Sequence, residues 1–205
     1  PQETLSMREF RGKMLGLVGF GRIGQEVARI AKGFQTTIFY YDTVRAATAV
    51  EQEVGAQLLP LDALLEQSDV VSIHTPLTDE TTGIINARAL GLMKSSAIIV
   101  NAARGSIVDG DALFDALDKD VIAGAAIDVF ETEPVPTQSP LLGLGEKILV
   151  SPHNISATKG GGLGPAIPWA TRAALTALRG EVPRHVVNED AISIWRDRFR
   201  GISLI

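Results

Sequence analysis

The residues whose spacing most clearly indicates chemistry are three glycines in the pattern G-x-G-x-x-G, Gly19, Gly21 and Gly24. They follow an apolar run directly and open a helical pattern. In that context the first glycine permits a tight turn, the second lets the backbone approach a pyrophosphate, and the third lets the helix pack against the strand. The N-terminus of the helix then stabilises the phosphate charge. The spacing predicts a dinucleotide site, although such turns also occur without one.

Asp42 supports the same prediction, because it ends the next apolar run about 20 residues after the glycines. A carboxylate there can accept hydrogen bonds from both hydroxyls of an adenosine ribose and would repel a 2′-phosphate, which favours NAD over NADP. Two alternatives stay open at this point. Asp42 could simply begin a turn, and another nucleoside cofactor such as S-adenosylmethionine could also use a glycine-rich turn with a ribose-binding acid.

Further polar residues follow later apolar runs: Arg104 after one, Asp128 and Glu133 after the next, and His153 after the last. Ligands of doubly wound sheets bind at the carboxyl ends of the strands, so these positions are candidate site residues. Each also has a purely structural interpretation. Arg104 could pack against a helix, Asp128 could cap a turn, and Glu133 could be a solvated loop acid.

The elements that must position these residues alternate along the chain. Apolar runs typical of strands covered on both faces lie at 15–18, 37–41, 70–73, 97–100, 122–127 and 148–150. Helical patterns lie at 23–34, 46–55, 61–67, 87–93, 111–117 and 169–178, and helical spacing returns at Ile192, Trp195, Phe199 and Ile202. The alternation predicts an α/β fold with a doubly wound parallel sheet of about six strands.

Composition excludes several classes of function. The 205 residues carry a net charge of −5, which offers no basic surface to nucleic acid or to an anionic membrane. No run approaches the roughly 20 apolar residues of a membrane helix. The chain has no cysteine, which excludes disulfides and thiolate metal ligands and fits a reducing compartment such as the cytoplasm. No metal site is expected.

Five motifs in this order resemble the cofactor domain of the D-isomer-specific 2-hydroxyacid dehydrogenases. They are Leu15–Gly24, His74–Thr78, Asn101–Asp109, Asp128–Pro134 and Ser151–His153. The phosphoglycerate dehydrogenase and glyoxylate/hydroxypyruvate reductase branches are the most similar. The resemblance implies a Rossmann-like NAD-binding domain and a homodimer formed through it.

The resemblance also implies roles for individual residues. Arg104 would bind the substrate carboxylate and polarise its carbonyl group, and His153 would protonate the carbonyl oxygen as hydride arrives from the nicotinamide. Glu133 would orient His153 and favour its protonated form. The residues implied to contact NAD are Gly19, Gly21, Arg22, Ile23, Gly24, Asp42, Thr75, Pro76, Ala102, Ala103, Arg104, Asp128, His153 and Ser156.

The same resemblance divides the chain into a lead-in at 1–11, a dinucleotide-binding domain at 12–185 and a tail at 186–205 that returns towards a substrate domain largely absent from the chain. Such a piece would bind NAD but turn over substrate poorly. Two features depart from the family pattern. Branched Ile155 stands where a small residue is usual beside the nicotinamide, and a Gly- and Pro-rich stretch at 160–168 replaces a regular helix.

Two functions fit these observations. One is an NAD-dependent oxidoreductase that interconverts a 2-keto acid and a D-2-hydroxy acid. The alternative is a non-catalytic, NAD(H)-sensing interaction module of the same fold, similar to a corepressor. The presence of Arg104, Glu133 and His153 together favours the enzyme.

Overall fold

A computed structural model of the chain describes residues 9–155, 164–199, 202–203 and 205. Contacts between residues divide the chain into two compact units, 1–155 and 156–205. Within the described residues, no helix has the length and apolar character needed to cross a membrane. The domain boundaries given above stay a prediction.

The first unit is a seven-stranded sheet in which every strand pair is parallel. Its strands are β1 (Met14–Val18), β2 (Thr37–Tyr41), β3 (Ala56–Leu58), β4 (Val70–Ile73), β5 (Ile98–Asn101), β6 (Gly124–Ile127) and β7 (Ile148–Val150). Its helices are α1 (Arg22–Lys32), α2 (Thr48–Val54), α3 (Leu61–Gln67), α4 (Ala87–Leu92) and α5 (Gly110–Asp118). Short 3-10 turns lie at Gly105–Ile107, Pro140–Gly143 and Gly145–Lys147.

The strand order is β3-β2-β1-β4-β5-β6-β7, so the direction of winding reverses between β1 and β4. Both faces of the sheet are covered. Leu15 and Leu17 of β1 pack in one apolar cluster with residues of α1 and α2, and Val18 packs in a second cluster with residues of α3, α4 and α5. Successive side chains of a strand point to opposite faces, so the two clusters lie on opposite sides. The predicted doubly wound parallel α/β fold is confirmed.

The sequence prediction omitted one strand, β3. Its three residues, Ala56 to Leu58, contain no β-branched or aromatic side chain, so they give no strand signal of their own. They become a strand by pairing with Ile38–Tyr40 of β2, after Gly55 has ended α2 in a left-handed conformation at φ 72°. The other strands and helices of this unit lie within about three residues of their predicted bounds.

The second unit contains a 3-10 turn at Gly164–Ala166 and the helices α6 (Ile167–Leu178) and α7 (Ala191–Phe199). Helix α6 starts two residues before its predicted start at Trp169. Gly180 follows its end at φ 77°, as the Arg179-Gly180 pair indicated. The tail residues with helical spacing lie in α7, except Ile202, which lies beyond the end of that helix. Residues 160–163 of the Gly- and Pro-rich stretch fall outside the described part.

Candidate active site

The glycine turn after β1 has the geometry that its sequence predicted. Gly19 has φ 96°, a conformation that other residues rarely adopt, and its N–H donates to the Tyr41 carbonyl at 2.8 Å. A side chain on Gly24 would collide with the Gly19 carbonyl oxygen, so only glycine lets α1 start this close to the turn. A side chain on Gly21 would enter open space, which leaves its backbone accessible to a ligand.

A cavity of about 540 Å³ lies beside this turn, at the carboxyl ends of β1, β2 and β4. Of the predicted cofactor residues, Gly19, Gly21, Asp42, Thr75 and Pro76 line it. The cavity therefore sits where the winding of the sheet reverses, the usual ligand position in this architecture. Sequence reasoning missed other lining residues, among them Tyr41, Thr81 and Ile84.

Asp42 is held in place by the backbone around it. Its Oδ2 accepts a hydrogen bond from Phe20 N–H at 2.7 Å, and its Oδ1 accepts one from Val44 N–H at 3.2 Å. Phe20 lies between the first two motif glycines, so Asp42 is tied directly to the glycine turn. Because an ionised carboxylate has about four acceptor positions, Asp42 retains capacity for a ribose hydroxyl.

Arg104 is positioned by Asn101, a residue that sequence reasoning did not single out for a role. Asn101 is buried at the end of β5. Its side-chain Nδ2 donates to the Arg104 carbonyl at 3.0 Å, and its Oδ1 accepts from Ala103 N–H at 3.0 Å. Arg104 itself is exposed, and its guanidinium donates to the Ala103 carbonyl at 2.6 Å. The turn that includes Ala102 is therefore fixed while its arginine stays accessible.

The Arg104 turn lies directly against the loop that carries Glu133. Gly105, the next residue, leaves no room for a side chain, because a Cβ there would overlap the backbone of Phe130 and Glu131. This close approach brings the two loops to the same edge of the sheet. The observed hydrogen bond of the Arg104 guanidinium is to the Ala103 carbonyl and not to the Glu133 carboxylate.

Glu133 and His153 are brought together, as predicted. His153 Nδ1 lies 2.8 Å from Glu133 Oε2, and Glu133 Oε1 accepts a hydrogen bond from Phe130 N–H at 2.9 Å. The hydrogen bond with His153, followed by that from Phe130, lowers the pKa of the Glu133 carboxyl. Because an ionised carboxylate can only accept, the proton between the two groups is assigned to Nδ1, and Nε2 is then free to exchange a proton.

A second cavity, of about 450 Å³, opens at this pair of residues. Its lining consists of Phe130, Glu133, Pro134, Val135, Pro152 and His153. The His153 side chain is 48% exposed and that of Glu133 is 36% exposed, so a ligand can reach the pair. The Glu133–Pro134 peptide bond is cis.

His153 has a left-handed backbone with φ 52°, which is uncommon for a residue other than glycine. Its N–H donates to the Asp128 carbonyl at 2.7 Å. The Asp128 carboxylate accepts hydrogen bonds from the Ser151 hydroxyl, from Asn154 N–H at 3.0 Å and from Ile155 N–H at 3.3 Å. Asp128 therefore fixes the loop on both sides of His153.

Asp128 is only 4% exposed. Burial by itself raises the pKa of its carboxyl, but the hydrogen bonds from Ser151, Asn154 and Ile155 outweigh burial and lower that pKa. The observed contacts of Asp128 are thus with the histidine loop. Its contact with a nicotinamide stays a prediction.

The remaining predicted residues are placed as follows. Arg22 and Ile23 are exposed in the first turn of α1, which contains no acidic side chain to repel a phosphate. Ile155, the branched residue beside the predicted nicotinamide site, is 67% exposed. Ser156 lies outside the described residues. In the part of the chain that is described, no group of three His, Cys, Asp or Glu side chains could hold a metal ion.

The glycine turn, Asp42 and the cavity at the reversal of the sheet are the features of a dinucleotide-binding domain. The chain belongs to the D-isomer specific 2-hydroxyacid dehydrogenase family, whose NAD binding domain model matches residues 1–154. The resemblance seen in the sequence is thereby confirmed.

Relatives of known name agree with this assignment. The chain is 45% identical over 192 residues to a glyoxylate reductase of Korarchaeum cryptofilum, covering 89% of this chain and 54% of that protein. It is 44% identical over 191 residues to a glyoxylate reductase of Pyrococcus furiosus, covering 93% and 56%. The chain thus spans about half the length of the curated relatives it matches.

Solved structures give the same result. The TT0316 protein of Thermus thermophilus matches with a TM-score of 0.81 and 37% identity, over 91% of this chain and 57% of that one. The D-lactate dehydrogenase of Lactobacillus jensenii, solved with NAD+, matches with a TM-score of 0.81 and 30% identity, over 92% and 59%. The part of each protein that matches corresponds in extent to an NAD-binding domain.

Proposed function

We propose that this chain is the NAD-binding and proton-transferring part of an enzyme that interconverts a 2-keto acid and a D-2-hydroxy acid. The observation that carries the proposal is the 2.8 Å hydrogen bond between His153 Nδ1 and Glu133 Oε2. It lies at the carboxyl edge of the sheet and opens into a cavity. A histidine oriented by a carboxylate at that place is a general acid–base arrangement.

In the direction of reduction, His153 Nε2 donates a proton to the carbonyl oxygen of the keto acid. Glu133 keeps the ring in the orientation and tautomer that this donation requires. The Arg104 guanidinium binds the substrate carboxylate through two parallel hydrogen bonds and draws electron density from the adjacent carbonyl. In the reverse direction, Nε2 accepts the hydroxyl proton.

The residues present fit NAD. The first turn of α1 and the accessible backbone at Gly21 would hold the pyrophosphate, and Asp42 would accept hydrogen bonds from the adenosine ribose. The cavity wall at Thr75 and Pro76 would cover the adenosine half. Bound NADH supplies the hydride.

The substrate proposed is a short 2-keto acid such as glyoxylate, because the named relatives at 44–45% identity are glyoxylate reductases. A phosphoglycerate dehydrogenase-like substrate, also suggested by the sequence resemblance, belongs in the same test. The opposite wall of the substrate site is expected from residues outside the matched half. For that reason we expect the 205-residue chain to bind NADH and to turn over substrate slowly.

A homodimer formed through this domain and a cytoplasmic location complete the proposal. Both rest on the resemblance to the family. Light scattering coupled to gel filtration tests the first, and fractionation of the source cells tests the second.

The test of the proposed reaction is a panel of 2-keto acids with NADH, run on the full-length gene product. We use His153→Asn because asparagine accepts the left-handed backbone of this position at low cost. Turnover should fall at least about 100-fold, the usual contribution of a general acid, and the loss of NADH affinity should be much smaller than the loss of turnover.

The matched control is His185→Asn, which changes an exposed histidine of the second unit. It should leave turnover unchanged. If His153→Asn and His185→Asn turned over keto acids at the same rate, the proposed mechanism would be wrong.

A further inference from the structure

A buried carboxylate outside the predicted site connects β2, the loop after it and α2, close to Asp42. Glu51 of α2 is 8% exposed. Its Oε1 accepts a hydrogen bond from the Tyr40 hydroxyl at 2.6 Å, and its two oxygens accept from the Arg45 guanidinium at 3.0 Å each. The Tyr40 hydroxyl in turn accepts from Ala46 N–H at 3.0 Å. Glu51 thus fixes the loop that connects β2 to α2.

The same contacts lead to the glycine turn. Tyr40 is fully buried and stacks on Phe20, with ring centroids 4.1 Å apart. Phe20 N–H donates to Asp42, which lines the cavity and is proposed to bind the adenosine ribose. Glu51, Tyr40, Phe20 and Asp42 therefore form one continuous set of contacts from α2 to the dinucleotide site.

Arg45 is the single cation in the loop from Asp42 to Ala47. In NADP-binding proteins of this fold, an arginine near the position of Asp42 accommodates the additional 2′-phosphate. Here both guanidinium hydrogen bonds that would suit a phosphate are made to Glu51 instead. Arg45 does not line the cavity that Asp42 and Thr43 line.

We propose that Glu51 is a specificity-determining residue, because it holds Arg45 on α2 and so withholds from the ribose pocket the cation that would neutralise a 2′-phosphate. Asp42 then selects NAD by charge repulsion. This inference rests on the proposed NAD-dependent function and adds a residue that increases the preference for NAD over NADP.

The charges around Glu51 are consistent with this role. Hydrogen bonds from Arg45 and then from Tyr40 lower the pKa of the Glu51 carboxyl, so it remains ionised at the pH of a binding assay. Replacement by glutamine keeps an acceptor for the Tyr40 hydroxyl but removes the charge that attracts Arg45.

The experiment measures dissociation constants for NADH and NADPH on the full-length gene product by fluorescence titration. The compared proteins are the wild type, Glu51→Gln, Arg45→Ala and the double variant. In Glu51→Gln the ratio of the NADPH constant to the NADH constant should fall about tenfold, in keeping with one new charge-assisted contact. In Arg45→Ala and in the double variant the ratio should stay within about twofold of the wild type.

If Glu51→Gln unfolds cooperatively and its ratio of NADPH to NADH dissociation constants equals that of the wild type, the inference is overturned. A ratio that falls in Glu51→Gln and stays low in the double variant would also overturn it, because Arg45 would then not be the cause. Arg45→Ala gives an answer even if Glu51→Gln does not fold. A ratio raised about fivefold or more in Arg45→Ala would show that Arg45 already contacts the phosphate, which also overturns the inference. A wild type that binds neither nucleotide would remove the proposed function itself, whereas normal NADH binding with the wrong ratios removes only the role of Glu51.

Discussion

At the residue scale, His153 combines an exposed imidazole with a backbone conformation that costs free energy. Left-handed backbone in a residue other than glycine costs on the order of 1–3 kcal/mol and persists only where surrounding contacts hold it. The backbone contacts that hold it here come from Asp128, whose carbonyl binds His153 N–H and whose carboxylate binds three groups of the same loop. Asp128 therefore positions the loop of His153, the residue proposed as the general acid–base.

We predict that Asp128→Asn lowers the free energy of unfolding by about 1–3 kcal/mol, because an amide nitrogen would face at least one N–H or O–H donor that now meets a carboxylate oxygen. Chemical denaturation measures this change. Turnover should fall with it, since the loop that aims His153 loses a fixed point. Asp118→Asn, at an exposed acid at the end of α5, is the control and should change stability by less than about 0.5 kcal/mol. Equal effects of the two variants would contradict the assigned role of Asp128.

At the scale of elements, the site depends on two loops that touch at Gly105. The turn after β5 carries Arg104, the loop after β6 carries Glu133, and Gly105 is the point where their backbones meet. An added methyl group at this point has only backbone to displace. The spacing between the two loops is thus set by the absence of a side chain.

Gly105→Ala is expected to destabilise the protein by about 1–3 kcal/mol, the usual cost of overpacking. It should also lower turnover more than NADH affinity, because it separates Arg104 from the Glu133 loop. Gly91→Ala is the matched control, since a methyl group there meets open space on α4. That change should stabilise the protein by about 0.5–1 kcal/mol. Thermal unfolding distinguishes the two, and a neutral Gly105→Ala would refute the close approach.

Sequence reasoning predicted the elements with strong local signals and missed those that depend on tertiary pairing. The glycine turn and Asp42 were within reach, because each lies at the end of a recognisable strand. The pairing of Glu133 with His153 was implied by the resemblance to the family and not by the spacing alone. Strand β3 was not, because its residues acquire their conformation from β2. Asn101 and Glu51 were missed for a similar reason, since a buried amide or carboxylate gains its role only from partners that the fold brings to it.

At the scale of the whole molecule, the free energy of unfolding should decrease in two stages as the pH is lowered. Burial lowers the pKa of His74 from its ordinary value of 6.5, so below that pH the unfolded chain takes up a proton that the folded chain resists. Hydrogen bonds from His153 and from Arg88 lower the pKa of Glu133 and of Asp62 respectively. The two ionised carboxylates stabilise the fold above their ordinary pKa values, and this stabilisation is progressively lost as the pH falls below about 4.5.

Denaturation curves at about pH 7.5 and about pH 5.5 isolate the first stage, because carboxyl protonation contributes little in that window. Replacing His74 by asparagine should reduce the loss of stability between these two conditions. The same change at His185, an exposed histidine, should leave the loss as it is in the wild type. If the His74 variant lost as much stability as the wild type, the half-buried imidazole of His74 would not be the cause.

The two hydrogen bonds that Asp42 accepts from Phe20 and Val44 have a consequence for association itself. Folding has already selected the rotamer of this carboxylate, so a dinucleotide bound as proposed would meet a preorganised acceptor. Immobilising a mobile, rotamer-rich side chain during association costs about 0.5–1.5 kcal/mol, and a carboxylate that is fixed before binding avoids a penalty of this kind.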